Sequence, residues 1–142
     1  MSTGNGPTKP RGIFVNLAVR DLARSIDFFR ALGFDFNSKF TNEQGACMVL
    51  SEHGYVMLLT EPFFRGFTDR QICDTSTHNE ALNAISCESR AEVDELMGKV
   101  VAAGGQDLDR AQDHGFMYAR SFRDLDGHHW EPFWMDPGSH GD

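Results

Sequence analysis

The chain has 142 residues, with 13 Lys and Arg against 21 Asp and Glu, and a formal net charge of −8 at pH 7. That length suits one compact unit or two intertwined half-domains sharing a core, and acidic residues spread without a basic run exclude a nucleic-acid stripe and a polybasic membrane patch. There is neither the apolar run of a signal peptide nor a bilayer-length stretch, and Cys47, Cys73 and Cys87 make an odd count without CxxC spacing, so free thiols in a reducing cytoplasm are expected.

Residues 1–12 are polar and rich in Gly and Pro, and read as a loose tail. From Ile13 to Val19 the branched residues Ile13, Val15, Leu17 and Val19 alternate with Phe14, Asn16 and Ala18, the two-residue period of a strand with two different faces. Asp21 is an N-cap candidate for a helix over Leu22 to Leu32 with Leu22, Ile26 and Phe29 as its apolar stripe, and Gly33 is its stop. Short strands follow over Phe34 to Phe40, Ala46 to Ser51 and Tyr55 to Thr60, which closes a first βαβββ module over residues 13–61. The linker 62–79 is unusually aromatic, and its Phe63, Phe64 and Phe67 suit a lid, a subunit contact, or packing on the chain's own sheet.

The second module, residues 80–135, repeats the plan. Its strand around Leu82 leads to the N-cap candidate Ser89 and a helix over Ala91 to Ala103, with Val93, Leu96, Met97 and Val100 inward and Gly104-Gly105 as the stop. Strands are expected over Gln106 to Arg110, Met117 to Arg123 and His128 to Trp134, the last two forming a hairpin around Asp126-Gly127. Residues 136–142 are a second tail. The class expected is α+β: two βαβββ modules whose curved mixed sheet surrounds a shared cavity, with the helices outside.

The repeat makes positions comparable. Counting back seven residues from Asp21 and Ser89 reaches Phe14 and Leu82, and counting on four from the turn glycines Gly54 and Gly127 reaches Leu58 and Glu131. Strand alternation puts His129, Glu131 and Phe133 on one face and turns His128 and Trp130 to the other. If the hairpin turn is Asp124 to Gly127, Arg120 lies across from Glu131 as an ion pair; a register shifted by one residue brings Ser121 there instead.

The paired modules, with the stretches VRDLARSIDFFRALGF and RDLDGHHWE, resemble the vicinal oxygen chelate superfamily, which includes glyoxalase I, extradiol dioxygenases and bleomycin-resistance proteins. The resemblance implies a metal site with one ligand from the first and last strand of each module, which here are Phe14, Leu58, Leu82 and Glu131. Three hydrocarbons and one carboxylate do not hold a divalent ion, so no metal and no cofactor are expected. The resemblance also implies homodimer packing and a small-molecule ligand. Two functions are open. One is metal-independent binding of a small apolar or aromatic molecule, with Phe14, Val56, Leu58, Leu82 and Phe133 as lining and Asn16, Arg120, His129 and Glu131 as polar groups. The other is a glyoxalase-like lyase or isomerase in which Glu131, with His129, moves a proton alpha to a carbonyl.

Overall fold

The computed structural model describes residues 9–138, so most of the tail expected over 1–12, part of the one over 136–142, and His140 lie outside the described residues. The first module runs β1 (Ile13–Val19), α1 (Leu22–Ala31), β2 (Asp35–Asn37), a 3₁₀ turn (Ser38–Phe40), β3 (Gly45–Val49) and β4 (Gly54–Thr60). A short helix, α2 (Glu61–Arg65), opens the linker. The second module runs β5 (Leu82–Ser86), α3 (Arg90–Ala102), β6 (Gln106–Asp107), β7 (Gln112–Asp113), β8 (Met117–Ala119), β9 (Phe122–Arg123) and β10 (His129–Met135). The α+β class and the two βαβββ modules with curled sheets are as the sequence leads one to expect.

The two longer helices, α1 and α3, begin where their caps stand. The Asp21 carboxylate accepts from Arg24 N at 3.2 Å and the Ser89 hydroxyl from Glu92 N at 3.0 Å, each satisfying a first-turn N–H that the helix leaves unpaired. They end at Gly33 and Gly104, whose φ values of 105° and 100° suit a residue without a Cβ.

The sheets are built alike. In the first the strand order is β1-β4-β3-β2, and in the second β5 pairs with β10, which also pairs with β8 and β9. Both first strands run parallel to their module's last strand and, among the described residues, carry a neighbour on that side only. The two helix-bearing sides share one core that includes Leu17, Phe28, Phe29, Met48, Leu58, Met97, Val100, Phe122 and Trp130. Phe28 of α1 lies 6.4 Å, centroid to centroid, from Phe122, and Phe29 lies 5.3 Å from Trp130, so a helix of the first module packs against the sheet of the second. Full burial of each such ring contributes about 1.5–3 kcal/mol. Polar contacts fix the docking: Asp126 accepts from Arg20 N at 2.9 Å, from Arg20 Nε at 3.1 Å and from the Ser25 hydroxyl at 3.1 Å.

Two expectations of register are corrected. Phe14 pairs with Tyr55, Leu17 with Leu58 and Asn16 with Met57, so Val56 and Leu58 share the helix side with Val15 and Leu17, and both are buried in the core. Tyr55 and Met57 take the helix-free side in their place. Since Leu82 pairs with His129 and Glu131 with Ala84, the first-module equivalent of Glu131 is Met57. Gly54 is already inside β4 whereas Gly127 precedes β10, and a one-residue difference in turn length exchanges the faces of a strand.

The second correction concerns Arg120. His129 pairs with Arg123 and Phe133 with Ala119, which brings Ser121 opposite Glu131 and leaves Arg120 opposite Pro132, where its N–H donates to Pro132 O at 3.1 Å. The Arg120 guanidinium instead reaches Asp94 of α3 at 2.9 Å and Asp107 at 2.7 Å. The cause is local. Asp124 Oδ1 accepts from the N–H groups of both Asp126 and His128, at 2.9 and 3.0 Å, and wraps the turn around itself, so the hairpin closes one residue later than a four-residue turn would allow.

Candidate functional site

The faces of the two sheets that carry neither α1 nor α3 hold the side chains available for chemistry. On the first, Phe14 stacks on Tyr55 with centroids 4.7 Å apart and planes within 13°, and Asn16 Nδ2 donates to Phe14 O at 3.0 Å. Phe14 is 54% exposed and Leu82 on the other sheet 62% exposed, which is high for aromatic and aliphatic groups on a strand. The linker covers the far end of this first face. Phe63 lies beside Gly45, Phe64 and Ile72 line a cavity of 240 Å³ with Asn16, Ala18, Cys73 and Glu80, and Phe67 remains exposed, edge-on to Phe63 at 5.1 Å.

On the second sheet β10 presents His129, Glu131 and Phe133, with Leu82, Ala84 and Ser86 on one side and Arg123, Ser121 and Ala119 on the other. His129 Nε2 lies 3.7 Å from Glu131 Oε2, an ion-pair distance but too long for a hydrogen bond. His129 is 8% exposed, and neither of its ring nitrogens finds a hydrogen-bond partner among the described residues. Burial holds its pKa below the ordinary imidazole value; the charge of Glu131 works against this, while Arg123 and Arg110 add to it. The imidazole is therefore neutral near pH 7, with one donor and one acceptor unpaired among the described residues.

Its neighbour His128, turned to the other face, is the opposite case. Its Nδ1 lies 2.8 Å from Glu80 Oε1 and its Nε2 2.7 Å from the carbonyl of Ala18, so the ring ties β1 of the first module and the start of the second module to the turn before β10. Both partners accept, so the ring must donate from both nitrogens, which only the imidazolium does. Burial pushes its pKa down, but the Asp124 charge, the Ala18 carbonyl and Glu80 more than offset this and raise it.

The three thiols are free: Cys47 is buried, Cys73 and Cys87 are half-buried, and burial pushes the Cys87 thiol up to about 11. A metal centre at the positions equivalent by strand pairing would draw on Phe14, Met57, Leu82 and Glu131. One carboxylate and one soft thioether beside two hydrocarbons do not fit an ion that requires several N, O or charged S donors. Among the described residues, no three His, Cys, Asp or Glu side chains converge elsewhere into such a set. No described helix is long and apolar enough to cross a membrane.

The family model of the Glyoxalase/Bleomycin resistance protein/Dioxygenase superfamily matches residues 13–131. Among solved structures, a hypothetical protein from S. aureus, SA1046, is 27% identical with a TM-score of 0.76, the match covering 89% of this chain and 95% of that one. A glyoxalase-related enzyme from Fulvimarina pelagi is 21% identical with a TM-score of 0.73, covering 90% and 88%. A lactoylglutathione lyase from Agrobacterium tumefaciens is 17% identical with a TM-score of 0.65, covering 91% and 95%. No relative is found among curated proteins.

Proposed function

Because the chain belongs to the glyoxalase/bleomycin resistance/dioxygenase superfamily, we propose that it uses the helix-free face of its second sheet to bind a small apolar or aromatic molecule without a metal, in the manner of the bleomycin-resistance branch. The observation that carries this reading is His129. A buried imidazole with both nitrogens unpaired costs stability of about 1–3 kcal/mol, and a ligand that supplies partners recovers it. Glu131 beside it is a second polar anchor, and Leu82, Phe133 and the Phe14–Tyr55 stack supply apolar surface.

A homodimer completes the site. The free edges of β1 and β5 and the exposed Ile13, Phe14 and Leu82 are what a second copy would cover, laying Phe14, Asn16, Tyr55 and Met57 of one chain over His129 and Glu131 of the other. A groove of 460 Å³ along the free edge of β5, lined by Ala84, Ile85, Ser86, Leu32 and Phe34, gives the approaching strand room. Free thiols suit a cytoplasmic protein.

Binding of a panel of aromatic and aliphatic metabolites, followed by the shift in melting temperature, tests the reading. Ligands should stabilise the wild type with no added metal and fail to stabilise His129→Leu. A requirement for stoichiometric divalent ion, or binding indifferent to both His129 and Glu131, would overturn it.

The second reading, proton transfer alpha to a carbonyl by Glu131 with His129, gains support from the position of Arg120. With that guanidinium held by Asp94 and Asp107, Arg120 does not neutralise Glu131, whose carboxylate can then act as a base. Turnover of methylglyoxal with a thiol, abolished in Glu131→Gln, would establish it; no turnover with or without Ni(II) or Zn(II) would remove it.

A further inference from the structure

The charges around His129 bear on what kind of molecule this face accepts. Arg20, Arg90 and Arg120 are each held by a carboxylate within 3.1 Å. Arg123, directly across the strand pair from His129, is not: its Nη1 donates to Asn79 Oδ1 at 3.2 Å and to the Gly127 carbonyl at 3.3 Å, both neutral acceptors. It takes part in none of the ion pairs found among the described residues. In a chain of net charge −8, this is a cation fixed in place by groups that leave its charge unspent. Arg110 lies close enough to His129 to act on its ring in the same sense.

The unpaired imidazole is the independent second observation. His129 is more than nine-tenths buried on the same face, with neither nitrogen hydrogen-bonded among the described residues. A neutral ring beside a fixed guanidinium can donate one hydrogen bond to an anion, and the resulting charge-assisted bonds are among the stronger ones available. Glu131, whose Oε2 lies 3.7 Å from His129 Nε2, repels an anion on that side of the ring and so fixes which end of the ligand lies where.

We propose that this face selects small organic carboxylates with an apolar body: Arg123 receives the carboxylate, His129 donates to it, and Leu82 and Ala84 carry the hydrocarbon, with Glu131 excluding the reversed orientation. This rests on the reading that the face is a ligand site, and adds the charge of the ligand.

The test is a pair of probes of one shape, phenylacetate and phenylacetamide, titrated against the full chain by calorimetry and by NMR of the His129 ring. Phenylacetate should bind on the order of tenfold more tightly than the amide, and should raise the pKa of His129 while the amide does not. Arg123→Gln should lose most of that preference and Arg123→Lys should retain part of it, and salt should weaken the carboxylate selectively. Equal or tighter binding of the amide to the wild type would overturn the anion selectivity while leaving the apolar site standing. Failure of both probes to bind would overturn both readings. A preference that survives Arg123→Gln would overturn the role of Arg123.

Discussion

His128 and His129 are adjacent in sequence and both buried, but they face opposite sides of the second sheet. On the helix side, His128 has a partner for each nitrogen, at 2.8 and 2.7 Å, and a raised pKa; on the helix-free side, His129 has no hydrogen-bond partner among the described residues and a lowered one. The difference teaches that burial alone does not distinguish a structural histidine from a functional one. Satisfaction does. A buried polar group left unpaired is a cost that folding alone does not explain, whereas a ring that ties β1 of the first module to the second module contributes to stability wherever it is charged.

The largest effect that would break this contrast between faces lies in β4. Leu58→Asp puts a carboxylate into the shared core with no partner and should cost more than about 4 kcal/mol, abolishing the folded state, whereas Met57→Asp one residue earlier should cost no more than about 1 kcal/mol. Urea unfolding followed by circular dichroism separates them, and equal costs would reject the assignment of faces.

Next in size is His128→Leu, which leaves the Ala18 carbonyl and the Glu80 carboxylate unpaired. A loss of about 3 kcal/mol is expected from the same measurement, with a loss below about 0.5 kcal/mol marking the ring as dispensable.

His129→Leu should go the other way. Replacing an unpaired buried ring with hydrocarbon should stabilise the chain by up to about 1 kcal/mol while removing ligand binding, the exchange of stability against function expected at a site. Destabilisation without any effect on binding would make His129 a structural residue like its neighbour.

The smallest effect is on the pH profile. His128 has its pKa raised in the folded state, so its contribution is complete below the ordinary histidine value of about 6.5 and is lost as pH rises through the raised value. His129 has its pKa lowered, so its contribution is present above about 6.5 and is lost as pH falls through the lowered value. The slopes on the two sides should stay under the ~1.4 kcal/mol per pH unit that one fully displaced proton gives. His129→Leu should flatten the acid side and His128→Leu the alkaline side; a profile unchanged by either variant would show that neither ring titrates with folding.

The elements legible in the sequence are those whose cause is local. Asp21 and Ser89 mark the helix starts because a cap needs only its own first turn; Val93, Leu96, Met97 and Val100 are all buried because helical period fixes their side. The same locality put His129, Glu131 and Phe133 on one face of β10 and Trp130 on the other. What strand period does not carry is which strand lies beside which, and in what register. There the reading that placed Val56 and Leu58 in the cup and Arg120 against Glu131 fails, each by one residue.

By itself, then, the sequence determined two βαβββ modules, their caps, their helical stripes and the alternation within each strand, since each depends on neighbours a few residues away. Only the tertiary structure decided that Met57 and not Leu58 is the counterpart of Glu131, that Arg120 belongs to α3, and that of two adjacent histidines one is paired and one is not. The partners of His128 stand 48 and 110 residues away along the chain, a separation over which local propensity carries no information and the packing of the two modules carries all of it.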